Sequence, residues 1–501
     1  MKKKNLLVLS CVGLMSLIAC GSTGGANVDQ YLPTDDPSSP VDILFWHCIG
    51  HTKGSNVGKI IDAFNAKYAG KYNLVEEHIA GDYDGLESAL RTKLAANEIP
   101  ALAIGYPDSF SQYMSEDIGD SSLLRLDNFI KDATFGYSAS EIENFVPGYY
   151  AEGTGYQFDG TWSMPLYKST EVVFYNASYF AGANDENAAH FAKVDDDNVK
   201  TEFNRLKKIV DDAAAGATDQ QLKDLKDFVV ANGGYTYSIP EHWDDFLQMG
   251  RDILKNRKDE GVSNAGITPI GYDSDSNLMI TQMAQRDIPY TQKAEENDDR
   301  YLFNNAKTVD LLTEITNAIA EGVLTTKGCL GKNTSGPFGD KTLFASVGST
   351  GGTSYNISAK FRVGIAHVPY SDKELYIQQG PSICFFDNED PYVHKGAWLF
   401  YKMLADPAAN AELACLNNYD PIRVTSYDDP FYKEWISTKQ DELAHYVPNV
   451  TKTLVQHYMT SPVFPGSSQA RTSIGDTIKN VAKSGDTVAE ALARAYGECT
   501  R

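Results

Sequence analysis

Between residues 41 and 105 the chain alternates between short apolar runs and amphipathic stretches, and this alternation restricts the fold more than any other feature. Residues 41–46 (VDILFW) have strand character, and 57–68 (VGKIIDAFNAKY) place Val57, Ile60, Ile61, Phe64 and Tyr68 at helical spacing. Residues 74–77 read as a second strand, 82–97 (DYDGLESALRTKLAAN) as a second helix and 101–105 as a third strand. Strands separated by helices need crossover connections, so the expected sheet is parallel and the fold class α/β.

The pattern breaks at 155–165, where Gly, Asp and Pro gather, and resumes at 171–175 (EVVFY). Apolar helices are expected at 243–255, 395–404 and 487–497. The 501 residues exceed the roughly 250–300 at which a single core stops growing, so two domains are expected. Residues 183–238 differ: charges are many and large apolar residues few (DDDNVKTEFNRLKKIVDD, QQLKDLKDF), which reads as one or two solvated surface helices inserted in the second domain.

Lys2, Lys3 and Lys4 precede an apolar run from Leu6 to Ile18, the build of a secretory signal peptide. That run is shorter than the about 20 residues that span a membrane. Leu17, Ile18, Ala19 and Cys20 resemble the lipobox of bacterial lipoproteins, which implies cleavage after residue 19 and a lipid on Cys20. Residues 21–40, rich in Gly, Ser and Pro, then form a flexible tether, and the expected location is outside the cytoplasm at the cell membrane. The formal net charge of −23 offers no basic stripe for nucleic acid. The other cysteines of the mature chain (Cys48, Cys329, Cys384, Cys415 and Cys499) are scattered and form no CxxC pair, so no disulfide framework or zinc site is expected.

Enzyme signatures are missing: there is no GxSxG elbow, HExxH pair or Walker loop. His47 and His51 are four apart, but Gly50 and the preceding strand oppose a helix there, and both read as loop histidines. Asp273, Asp275 and Asn277 begin like a calcium loop, which fails at Leu278 and Ala284. No cofactor and no metal are expected. A glycosidase needs only two carboxylates, and no segment singles out such a pair.

Residues 161–176 (TWSMPLYKSTEVVFYN) resemble a segment of the family 1 extracellular solute-binding proteins, the binding components of carbohydrate-type ABC importers. Trp243, Asp244 and Leu247, then 395–404 with Asp406-Pro407, then Tyr419-Asp420-Pro421, resemble further family motifs in family order. Within the family the chain is most similar to the sn-glycerol-3-phosphate-binding branch, through Phe45-Trp46-His47, Gly81-Asp82-Tyr83, 145–150 (FVPGYY), Ser349-Thr350-Gly351 and Gly380. It departs from that branch at Pro107, which intervenes between Tyr106 and Asp108, and at 272–277 (YDSDSN), where the branch carries tryptophans.

The resemblance implies a two-lobed, periplasmic-binding-protein-like (type II) fold with a ligand cleft between hinged lobes. One lobe would hold 41–158 and 365–405, the other 159–364 and 406–501. It implies ligand contacts at Tyr83, Asp108, Ser169, Ser349, Thr350, Gly351, Gly380, Tyr419 and Arg471. Hydroxyls, close-approaching backbone and a guanidinium suit a phosphate, while Tyr83, Tyr106, Trp162 and Tyr167 offer flat faces to a sugar. The implied function is a non-enzymatic, monomeric receptor, lipid-tethered to the membrane, that delivers a sugar or polyol phosphate such as sn-glycerol 3-phosphate to ABC permease subunits. An oligosaccharide-binding importer component and a lipid-anchored glycosidase are the alternatives.

Overall fold

A computed structural model describes residues 30–49, 56–81, 83–114, 123–294, 298–438 and 443–501. Cys20, the expected signal segment, residues 21–29 of the expected tether and His51 lie outside the described residues. The described end of that tether is not free, since Leu32 is buried in the first-lobe core and Lys395 donates to Asp35 O at 2.7 Å. The expected alternation is present. Strand β1 (Val41–His47) pairs in parallel with β2 (Tyr72–His78) and β3 (Leu102–Gly105), with helices Asn56–Lys67 and Tyr83–Ala95 as the crossovers. Antiparallel β11 (Ser382–Phe385) then joins β3 to β4 (Met164–Pro165), giving the order β2-β1-β3-β11-β4.

The second lobe has its own sheet. Strand β5 (Glu171–Asn176) lies antiparallel between β8 (Ala345–Ser349) and β9 (Val363–His367), and β6 (Ile270–Tyr272) lies parallel between β8 and β7 (Leu324–Thr326). A two-stranded piece, β10 (Tyr376–Ile377) with β12 (Tyr458–Met459), sits beside it. Each sheet has a core. One gathers Phe45, Leu90, Leu102, Trp162 and Tyr167 with Phe385, Trp398, Leu413 and Ile422. The other gathers Val173, Trp243, Tyr272, Leu312, Val347, Ile474 and Leu492.

These memberships move the expected lobe boundaries. Residues 159–167 belong to the first lobe, because β4 completes its sheet. Strand β9 pairs with β5, so the return to the first lobe comes near 380, not at 365. Leu413 and Ile422 lie in the first core, which places the last departure beyond 422 and not at 406.

The 183–238 insertion is more than a wet face. Helices Asp185–Lys193, Asp197–Ala213 and Asp219–Ala231 start on side-chain caps from Asn184, Asp196 and Thr218. They enclose a separate small core of Phe191, Phe203, Leu206, Val210, Leu225 and Val229. The charges occupy the outer faces in one-turn pairs such as Lys207–Asp211, Lys208–Asp212 and Lys223–Asp227. Phe203→Ala should therefore loosen this unit by about 3–5 kcal/mol. Limited proteolysis should then cut within 183–238 and leave the remaining chain intact.

Other expectations are refined. His47 is no loop residue: it ends β1 fully buried, its Nε2 3.1 Å from Glu76. Asp273 accepts from the backbone of Thr334 at 2.7 Å and Asp275 from that of Gly328 at 2.8 Å, so both carboxylates pin loops of their own lobe. Among the described residues no group of three or more His, Cys, Asp or Glu is placed to hold a metal, no disulfide forms, and no helix is long and apolar enough to cross a membrane.

Candidate functional site

The lobes meet where three chain segments run side by side. Residues 166–170 leave the first lobe, 378–381 return, and 419–422 flank both. Single antiparallel bridges tie them: Ser169 exchanges backbone hydrogen bonds with Gln379 (2.9 and 2.8 Å) and Lys168 with Asp420 (2.9 and 2.6 Å). Gly380 is needed here. Its φ is +93°, and a β-carbon would sit 2.7 Å from the Tyr167 carbonyl oxygen.

Two buried charged sites stand at this crossing, and they differ. Lys168 is completely buried and paired with Glu152; its ammonium also donates to Gly380 O (3.1 Å) and Ser382 Oγ (3.0 Å). Glu152 accepts in turn from Gln378 (3.0 Å) and Ser382 (2.9 Å), so every member has a partner. Burial pulls the Lys168 pKa down, against the pull of Glu152. Asp420 has no cation partner among the described residues. Thr451 donates to its Oδ1 at 2.9 Å, its Oδ2 has no hydrogen-bond partner among the described residues, and burial pushes its carboxyl up to about 7.

The returning segment of the crossing, through Gln378 and Gln379, lines a cleft of about 280 Å³ together with Glu152. The first lobe supplies Asp84 and Glu87 from helix Tyr83–Ala95, and Tyr106, Asp108 and Ser109 from the turn after β3. Facing them are Ser274, Ser276 and Asn277 near the start of helix Asp275–Gln285, and Ser468, Arg471 and Thr472 on helix Ser467–Ser484. Arg471 spans the gap. Its Nη2 donates to Asn277 Oδ1 in its own lobe, and its Nε lies 3.7 Å from Asp108 Oδ2 in the other. Burial raises the Asp108 pKa, opposed by Arg471 and by a hydrogen bond from Ser467.

Tyrosines form the adjoining wall. The Tyr83 and Tyr106 rings meet edge to face at 4.8 Å, and Tyr167 and Tyr419 lie 4.4 Å apart. The Tyr83 hydroxyl lies close to those of both members of the second pair. Burial pushes all four phenols upward, so they remain neutral hydrogen-bonding groups. Gly351 lets Tyr419 approach, since a β-carbon there would lie 2.8 Å from the ring.

The nine residues singled out from the sequence fall into two sets. Asp108 and Arg471 line the cleft, and Tyr83 touches it through Tyr106. Ser169, Ser349, Thr350, Gly351, Gly380 and Tyr419 gather at the crossing, where protein groups already use their hydroxyls: Ser349 Oγ donates to Ser169 Oγ (3.4 Å), and the Thr170 amide donates to Thr350 Oγ1 (3.4 Å). Sequence reasoning passed over Glu87, Gln379, Ser468 and Thr472, which line the cleft, and met Asn277 only in the failed calcium loop and as the end of the 272–277 segment that departs from the related branch. Only the amphipathic spacing of Ser468, Arg471 and Thr472 gave a sign of them, as one helix face.

Comparison with known proteins bears on the fold and the family. The family model of the bacterial extracellular solute-binding proteins matches residues 59–440. No curated protein matches the chain. Among solved structures, the cyclic alpha-maltosyl-1,6-maltose binding protein of Arthrobacter globiformis aligns with TM-score 0.62 at 17% identity, over 92% of this chain and 98% of that one. UgpB of Mycobacterium tuberculosis, solved with glycerophosphocholine, aligns at 0.63 and 15%, with the same coverage. The GacH receptor of Streptomyces glaucescens, solved with acarbose, aligns at 0.62 and 12%, over 92% and 97%. These neighbours share the two-lobed fold, and the family is one of binding proteins, not enzymes. The chain belongs to the bacterial extracellular solute-binding proteins.

Proposed function

We propose that this protein is the substrate-binding component of an ABC importer and that its cleft takes an uncharged saccharide. The carrying observation is the balance of hydrogen-bonding groups. Asp84, Glu87 and Asp108 face the cleft as acceptors, and so does Gln379, whose buried Oε1 has no hydrogen-bond partner among the described residues. A sugar hydroxyl donates to each of these, and its C–H face packs on Tyr106. The serine and threonine hydroxyls of the facing helices adapt as donors or acceptors.

The polyol-phosphate reading rests on Arg471, which among the described lining residues is the one cation. Asp108 and Asn277 already engage that guanidinium, and a phosphate would bring two further negative charges against Asp84, Glu87 and Asp108. The saccharide reading is therefore favoured. Cys20 carries the lipid in this proposal and holds the monomeric receptor at the membrane face beside its permease; Cys20→Ala should release the protein into the medium.

A thermal-shift panel of maltotriose, sn-glycerol 3-phosphate and glycerophosphocholine tests the ligand class. A ligand at 100 times its Kd stabilises the folded state by about 2.7 kcal/mol. Maltotriose should raise the melting temperature, and Tyr106→Ala should abolish that rise. A rise with glycerol 3-phosphate and none with maltotriose would reverse the assignment.

A further inference from the structure

We infer that Glu171, which does not line the cleft, governs closure of the lobes as the positioning residue of a clasp formed by Asn277, Arg471 and Asp108. Glu171 opens β5, is buried, and pairs in register with Ser349. Its carboxylate is acceptor-only in the ionised form and has two donors: the Tyr272 hydroxyl at 2.5 Å and Asn277 Nδ2 at 2.7 Å. Fixing the Asn277 nitrogen on Glu171 turns the Asn277 oxygen outward, and that oxygen receives Arg471 Nη2. Arg471 is thereby aimed across the cleft at Asp108, the first-lobe end of the chain.

Ser111, three residues after Asp108, meets the second lobe at Ser467 Oγ (3.4 Å), one turn before Arg471 on the same helix. Ser111 Oγ also donates to Phe464 O at 2.9 Å. The lobes thus touch along one line in front of the crossing, and the charged member of that line is oriented from inside the second lobe. Glutamine at 171 would place an N–H against Tyr272 or Asn277. In the second case Asn277 turns over and presents its own N–H to the guanidinium, which breaks the chain of contacts without moving β5.

The inference uses the cleft reading only to say what the clasp closes over, so the test is run without any sugar. Small-angle scattering reports the radius of gyration, which for a compact chain of this length is about 23 Å. Asp108→Asn, Arg471→Met and Glu171→Gln are each expected to raise it by about 1 Å, the scale of a hinge opening. The double variant D108N/E171Q should add nothing further, because both act on one chain of contacts. Expansion in D108N with native dimensions in both E171Q and Glu171→Ala, which leaves Asn277 no acceptor in either orientation, would remove Glu171 from the clasp. Native dimensions in all three would remove the clasp itself. Should E171Q not fold, Asn277→Ala breaks the same link from the cleft side: expansion there supports the positioning chain, and native dimensions overturn it. A failed maltotriose shift alongside these expansions would sink the saccharide reading and leave the clasp standing.

Discussion

Replacing Lys168 with alanine is expected to destabilise the protein by about 3–5 kcal/mol, the usual cost of stranding one member of a buried ion pair. Lys168 has no exposed side-chain surface and Glu152 is only 7% exposed, so water cannot replace the lost ammonium. The damage is not confined to the pair. Lys168 also holds the Gly380 carbonyl and Ser382, so its loss frees the returning segment of the crossing from the departing one. Adding Glu152→Gln should recover much of the stability, because glutamine carries no unpaired charge, keeps an oxygen for Gln378 and can donate its N–H to the Ser382 hydroxyl, which has lost the Lys168 donor. Denaturant unfolding of the two single variants and the double variant measures the coupling. A K168A protein as stable as the parent would show that Glu152 reaches solvent once its partner is gone.

The second large effect is a dependence on pH. Burial pushes Glu171 and Asp420 up to about 7 in the folded chain, against ordinary values of 4.5 and 3.8. Between about pH 4 and pH 7 the folded state therefore holds protons that the unfolded state has shed. Stability should fall as pH rises through that window and level off above it, by roughly 3 kcal/mol for Glu171 and roughly 4 kcal/mol for Asp420. Asp420→Asn retains an acceptor for Thr451 and carries no charge, so it should be more stable than the parent at pH 8 and equal to it near pH 4. The comparison is made by melting temperature at the two pH values. A parent and variant with parallel pH profiles would mean that Asp420 does not titrate in this range.

How far the sequence reveals this structure depends on whether the information is local. The alternation at 41–105 is legible because a strand, a helix and the next strand each declare their period within a dozen residues. Phe203, Leu206 and Val210 carry a legible helical spacing too, yet the surrounding charges hide that their faces converge on Phe191, Leu225 and Val229. The crossing is harder. Its ties are single bridges between Lys168 and Asp420 and between Ser169 and Gln379, without any periodicity. Arg471 stands out by residue type alone, whereas its partner Asn277 lies 194 residues away and sits in a segment that first reads as a failed calcium loop.

The position of β11 has a consequence for biosynthesis. This strand enters the first sheet between β3 and β4, and the Cys384 thiol reaches the Ala103 carbonyl oxygen across 281 residues of sequence. The amino-terminal lobe therefore lacks a strand, and the helix Pro391–Leu404 that covers β1, until four-fifths of the polypeptide has left the ribosome. Closing so long a loop is slow, and the emerging chain stays unfolded while it waits. A chain of an extracellular family gains from that delay, because a late-arriving strand keeps it threadable until it has passed through a narrow channel.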